Sequence, residues 1–245
     1  VGKMMEISAN KPVPAYIAYP ASEPKGAVIV VHEVWGLVDH IKSVADRLAA
    51  EGYIALAPDF LASSSIDTQA IGGMQEALFD PKRRNQIQPV LRKLMAPTQS
   101  PEFGKQTTDG LKACFEYLYK LPEVHQKVAV MGFCFGGTYS FSLAVDEPRL
   151  KVAIPFYGHS DHDVNSLKQI KSPIYAFYGE NDERLVSVLA DLRQKMKRAG
   201  VNFTDKVYPG CGHAFFNDTN KFAYNPEAAK DAWSQVISIL QKSFN

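Results

Sequence analysis

The run Lys127-Val128-Ala129-Val130-Met131-Gly132-Phe133-Cys134-Phe135-Gly136-Gly137 carries an apolar segment directly into a cysteine framed by glycines. The apolar part reads as a short buried strand, and Thr138 to Val145 reads as the helix that follows. A strand that stops at a sharp turn and continues as a helix is the setting of a nucleophile elbow, G-x-S-x-G, with cysteine in the serine position. The turn forces its central residue into strained geometry, so small residues are needed on either side. It also lifts the side chain clear of the sheet, beside the positive end of a helix, where a thiolate is favoured. The plainer reading is a tight turn with a core cysteine, and the rest of the chain decides between the two.

Strand-like apolar runs alternate with helical patterns on both sides of this segment, which predicts βαβ units around a mostly parallel sheet. Ala27–Val31 is the first clear buried strand, and Tyr53–Ala57, closed by Pro58, is the next. Between them Ile41, Val44, Ala45, Leu48 and Ala49 recur at helical spacing. Val152–Phe156, Ile174–Tyr178 and a segment near Asp205–Tyr208 read as later strands, apolar on both faces as strands covered by helices are. Leu185–Ala199 and Glu227–Leu240 read as amphipathic helices, and the residues up to about Tyr19 as a leading hairpin. The fold class expected is α/β, a mostly parallel central sheet with helices on both faces, occupying residues 1–245 as one domain. Residues 61–105 break the rhythm, carrying little strand signal and a basic turn at Asp80-Pro81-Lys82-Arg83-Arg84. That excursion is either a cap over the pocket or a surface segment with its own packing role.

Composition narrows the function. An apolar fraction of 46% supports a continuous core, and 27 basic against 26 acidic residues predict no nucleic-acid or acidic-membrane partner. No window of about 18 apolar residues suggests a spanning helix. Val1-Gly2-Lys3-Met4-Met5 lacks the apolar core of a signal peptide. Three cysteines without CxxC or regular Cys/His spacing argue against a disulfide framework and a zinc site, so a reducing cytoplasm is expected. A monomer is the default expectation for the assembly.

A cysteine hydrolase needs a base for the thiol proton and a third group to orient the base. In α/β-hydrolases these follow the nucleophile in the order acid, then histidine, each just past a strand. Gly179-Glu180-Asn181-Asp182 follows one strand, and Pro209-Gly210-Cys211-Gly212-His213 follows the last. Cys134, Asp182 and His213 therefore form the expected catalytic set, with Asp182 better placed than Glu180 or Glu183. His32-Glu33-Val34-Trp35-Gly36 follows the first buried strand, where the second oxyanion donor is expected. The backbone N–H groups of Phe135 and Val34 are assigned to that hole. Glu33, an acid at the end of a buried strand, either manages the thiol proton or pairs with an arginine of the excursion. His159 and Trp35 are candidate substrate contacts. His32 reads as a structural hydrogen-bonding residue, Cys114 as core and Cys211 as packing.

These residues carry a family resemblance. The chain resembles the dienelactone hydrolases, or carboxymethylenebutenolidases, which are α/β-hydrolases with a cysteine nucleophile. The matching segments are His32–Gly36, Ala57-Pro58-Asp59-Phe60, the elbow at Cys134, Gly179–Asp182 and Gly212-His213-Ala214-Phe215, in family order along nearly the whole chain. The resemblance implies hydrolysis of a lactone or ester through an acyl-cysteine, with Glu33 managing the thiol proton and no metal or organic cofactor. It also implies an arginine shortly after the histidine to hold a substrate carboxylate, whereas here Ala214-Phe215-Phe216-Asn217-Asp218 contains none. Arg83, Arg84 or Arg92 of the excursion is the candidate for a second carboxylate-binding arginine, with Arg84 taken forward. The expected function is a dienelactone hydrolase-like cysteine hydrolase acting on a small-molecule ester or lactone. The rival readings are a broad small-acyl carboxylesterase or thioesterase, and a binding protein on a hydrolase scaffold.

Overall fold

The computed structural model describes residues 2–62 and 64–245. An antiparallel hairpin of β1 (Lys3–Ile7) and β2 (Val13–Ala18) opens the chain, followed by β3 (Ala27–Val31), α1 (Asp39–Ala50) and β4 (Ile54–Pro58). Three short helices, α2 (Thr68–Gly72), α3 (Gln75–Phe79) and α4 (Arg84–Leu94), lead into the long α5 (Pro101–Tyr119). Next come β5 (Val128–Phe133), α6 (Phe135–Asp146), β6 (Val152–Phe156), α7 (Val164–Leu167) and β7 (Ile174–Gly179). The chain finishes with α8 (Glu183–Val186), α9 (Leu189–Ala199), β8 (Phe203–Tyr208) and α10 (Pro226–Phe244).

The strands form one eight-stranded sheet in the order β1-β2-β4-β3-β5-β6-β7-β8. β2 runs antiparallel to both neighbours, and every pair from β4 to β8 is parallel. β3, β4, β5 and β6 are buried along their whole length. Burying one such Val or Ile is worth about 1.5–3 kcal/mol, so these strands dominate the core. Helices cover the sheet with their apolar sides. α1 buries Ile41, Val44, Ala45 and Leu48, and α10 buries Ala232, Val236, Ile239 and Leu240. α5 and α10 start where Ser100 and Asn225 accept a hydrogen bond from the chain and a proline follows, which satisfies free N–H groups of the first turn.

Leu185–Ala199 and β5 differ from the sequence expectation, and β8, expected to be apolar on both faces, is an edge strand that alternates half-buried and exposed residues up to Tyr208. Leu185–Ala199 is two helices, broken at Ser187 and Val188. The break lets Leu185 line a cavity while Leu189, Leu192 and Met196 turn into the core. β5 continues through Gly132 and Phe133, because both pair in register with β6. Among the described residues, no helix is long and apolar enough to cross a membrane.

The register aligns the carboxyl ends of the strands. Val31 lies opposite Gly132, Phe133 opposite Phe156, and Gly179 opposite Tyr208. The chain leaves β3 towards β4 on one side, while β5 lies on the other, and crevices form at such switch points. Glu33, Cys134, Tyr157, Asp182 and His213 all follow strands at this edge.

Candidate active site

Cys134 is the single residue between β5 and α6, with φ 57° and ψ −111°. That left-handed backbone is costly for a residue with a Cβ and persists only where its surroundings enforce it. They do so here. Cys134 N–H donates to the Phe156 carbonyl at 2.9 Å, and the Cys134 carbonyl accepts from Thr138 N–H at 3.0 Å. A Cβ on Gly132 would stand 2.0 Å from the Gly136 carbonyl oxygen, and one on Gly136 would stand 2.1 Å from that of Val31. Glycine at both positions is therefore a packing requirement of the turn.

His213 and Asp182 arrive on loops that are tied together. Asn181 N–H donates to the Cys211 carbonyl at 2.8 Å, and a Cβ on Gly179 would fall 2.5 Å from the Cys211 and Gly212 carbonyl oxygens. This close approach brings His213 Nδ1 to 2.5 Å from Asp182 Oδ2. Glu180 and Glu183 are exposed. The bond to a carboxylate makes Nδ1 the protonated nitrogen and leaves Nε2 for chemistry. Burial opposes the imidazolium, but the electrostatic interaction with Cys134 and the hydrogen bonds to Asp182 and Cys134 outweigh it, raising His213 to about 10.

Glu33 lies at the end of β3, 2% exposed, and its Oε1 accepts from Asn217 Nδ2 at 3.0 Å. Burial raises its carboxyl to about 7, while the charge of His213 and the Asn217 hydrogen bond pull the other way. His32 beside it is wholly buried. Its Nε2 accepts from Phe60 N–H at 3.0 Å, so Nδ1 carries the proton and donates to the Glu33 carbonyl at 2.6 Å. Its ring stacks on Phe135 at 5.5 Å, a structural role.

Cys134 and His213 line a cavity of about 560 Å³. Val34, Phe135, Tyr157 and His159 share its wall with Thr98, Gln99, Gly104, Thr108, Tyr139, Arg184 and Leu185. Thr98, Gln99 and Gly104 come from the 61–105 excursion, so that segment supplies one wall. Among the described residues, the N–H groups of Val34 and Phe135 have no protein acceptor. No group of three or more His, Cys, Asp or Glu among the described residues could hold a metal ion.

Two candidate contacts fall elsewhere. Arg84 is exposed at the start of α4 and lies outside the cavity lining, because the face that α4 turns inward is that of Leu91 and Leu94. Arg92 is exposed on the same helix, and Arg83 pairs with Asp80 and Glu76 at the surface. Trp35 is 4% exposed and packs with Leu61, Ile66, Ile71, Leu91, Met95 and Phe103 beneath the excursion, away from the lining. Sequence reasoning missed Arg184, whose guanidinium is free of ion pairs among the described residues. Its position two residues past Asp182 was the available signal. It also missed Tyr157, whose ring stands 5.0 Å from that of His213 and whose φ is 36°.

The sheet order, the elbow after β5 and the Asp–His pair after β7 and β8 define an α/β-hydrolase. Within that class, the chain belongs to the dienelactone hydrolase family, whose model matches residues 13–244. It is 36% identical to a "Putative carboxymethylenebutenolidase" of Saccharolobus solfataricus, over 93% of each chain. It is 33% identical to "Protein usf" of Aquifex pyrophilus, over 99% of each. A crystal structure titled "Putative Dienelactone Hydrolase", from Klebsiella pneumoniae, superposes with a TM-score of 0.82 at 26% identity, covering 98% of both chains.

Proposed function

We propose that this chain is a cysteine hydrolase that opens a lactone or cleaves a carboxylic ester through an acyl-Cys134 intermediate. The observation that carries the reading is one cavity lined by both a cysteine at a strained strand–helix turn and a histidine bonded to a buried aspartate. Cys134 gives its proton to Glu33, and Sγ attacks the carbonyl carbon. The C–S bond forms as the carbonyl π electrons move to oxygen, where Phe135 and Val34 N–H groups stabilise the charge. Losing one such donor typically costs about 100- to 1000-fold in turnover. Collapse breaks the C–O bond, and His213 protonates the leaving oxygen. Water then attacks the thioester as His213 takes its proton and Asp182 holds the ring in the required tautomer; the C–S bond breaks to release the acid, and the proton held on Glu33 returns to the sulfur.

Arg184 supports a substrate with an anionic substituent, since an unpaired guanidinium at a cavity wall suits a carboxylate. A second reading, a broad esterase or thioesterase for small neutral acyl groups, is favoured by Asn217. It stands on the segment after His213 where the resemblance expects an arginine. The test compares a dienelactone with a short neutral p-nitrophenyl ester, using wild type, Cys134→Ala and Arg184→Ala. The primary reading expects an acyl adduct that maps to Cys134, and a KM for the dienelactone that rises in Arg184→Ala. Turnover of the neutral ester alone selects the second reading. An adduct elsewhere, or turnover retained in Cys134→Ala, discards both.

A further inference from the structure

Asn217 is wholly buried, polar and four residues beyond His213, with both ends of its amide in use. Its Oδ1 accepts from Thr219 N–H at 3.0 Å and from Thr219 Oγ1 at 2.6 Å. Two donors on one atom require that atom to be the oxygen, so the NH₂ end is the one that meets Glu33. An amide NH₂ only donates, and Glu33 Oε1 is thereby fixed as an acceptor. With Oε1 occupied as an acceptor, Oε2 is the carboxyl oxygen left to carry a proton.

The surroundings of Glu33 make this sorting consequential. His213, on the loop after β8, acts on Glu33 by its charge and, through the same electrostatics, on Cys134 at the elbow. Tyr157, after β6, feels the charge of both Glu33 and Cys134. His32 from the end of β3 is committed to the Glu33 carbonyl and to Phe60, so it cannot serve the carboxyl. Asn217 is the one neutral donor holding that carboxyl among the described residues.

We propose that Asn217, oriented by Thr219, is a positioning residue that fixes the Glu33 carboxyl so that Oε2 exchanges the proton of the Cys134 thiol. The inference rests on the cysteine-hydrolase reading and adds to it a residue that touches neither substrate nor sulfur. In the exchange the S–H bond breaks as the Oε2–H bond forms, and no other reactant is needed. A neutral amide is suited to the task because it orients the carboxyl without locking it in the ionised form. A cation at the same place would favour the ionised form of Glu33 much more strongly.

The test follows alkylation of Cys134 by iodoacetamide across pH, read by peptide mass, in wild type, Asn217→Asp, Thr219→Val and Glu33→Gln. Thermal unfolding identifies any variant that fails to fold. Wild type should show a rise in rate as Glu33 ionises, and Glu33→Gln should lose that rise. Asn217→Asp keeps the acceptor for Thr219 but replaces the donor to Glu33 with a like charge. Its rise should move alkaline by about one pH unit, roughly tenfold in rate on the acid side, with the plateau retained. Thr219→Val, which removes one of the two orienting donors, should move it a smaller distance the same way. A wild-type midpoint in both Asn217→Asp and Thr219→Val, with the rise lost in Glu33→Gln, overturns the clamp alone. A rise that persists at the wild-type pH in Glu33→Gln overturns the clamp and the role of Glu33 together. Absence of Cys134 alkylation at any pH overturns the hydrolase reading with them.

Discussion

The two walls of the cavity are built by different physics. On the sheet edge the candidate catalytic residues are held by directional bonds: Cys134 by its backbone bonds to Phe156 and Thr138, His213 by Asp182, and Glu33 by Asn217. On the helical wall, Thr98 and Gln99 bond only within their own turn, Thr98 Oγ1 to the Met95 carbonyl and Gln99 Nε2 to Thr98 Oγ1. That wall is positioned instead by apolar packing of Trp35, Leu61, Ile71, Leu91 and Phe103, and joins the elbow through the Phe103–Phe135 ring contact at 6.0 Å. Directional bonds fix geometry to fractions of an ångström, as chemistry requires. Dispersion fixes only volume, which is enough to select a shape. The sheet edge should therefore govern rate, and the helical wall selectivity.

The largest expected effect is on the sheet edge. In the proposed mechanism Cys134→Ala removes the atom that bonds to substrate, so ester turnover should fall by about 10⁴-fold or more. Steady-state assays with intact-mass detection of the acyl adduct check this, and substantial residual turnover would dissolve the contrast at once. Asp182→Asn comes next. The amide cannot hold His213 in the required tautomer, and a loss of about 10³- to 10⁴-fold in kcat with little change in KM is expected. A loss confined to KM would move Asp182 from orienting the base to shaping the cavity.

The sheet edge was far more legible in sequence than the helical wall, for the same reason. Strand, sharp turn and glycine spacing leave a local mark, so Cys134, Asp182 and His213 could be named from short segments on strand ends. The fold class followed from alternating periods, while the break at Ser187 and the half-exposed edge strand β8 did not. Arg84 misses the cavity because which face of α4 turns inward depends on packing against distant residues. Trp35 looked like a substrate contact because the excursion that buries it has no strand signal to place it. Asn217 was noticed only as a missing arginine. Its partner, Glu33, is 184 residues away, and no local pattern encodes such a contact.

Glu33→Gln sharpens the comparison through pH. Burial raises Glu33 from an ordinary 4.5 to about 7, so the folded protein holds this proton more tightly than the unfolded chain. The sign follows: the stabilising contribution is complete below the unfolded value and is lost as pH rises through about 7. The glutamine variant lacks this loss, so at about pH 8 it should be the more stable by up to ~3 kcal/mol, an advantage that shrinks towards about pH 5. Its turnover should fall by about 10- to 100-fold. Denaturant unfolding at the two pH values, beside kcat/KM, checks both halves. A variant equally stable at both, with unchanged turnover, would mean that Glu33 belongs to packing.

The smallest effect should come from the helical wall, at Thr108 on α5, which is half-buried and lines the cavity. Thr108→Val keeps the shape and replaces a hydroxyl by a methyl, so it changes only what that part of the wall prefers to contact. One methyl-sized gain of apolar contact is worth at most about 0.8 kcal/mol, or about fourfold in a binding constant. The KM for a butyryl ester should fall by about two- to fourfold relative to an acetyl ester, with kcat for both close to wild type. Parallel assays with the two esters measure the ratio directly. A drop in kcat of about tenfold or more with both substrates would place the helical wall within the chemistry, because only a group stabilising the transition state lowers kcat without regard to acyl length.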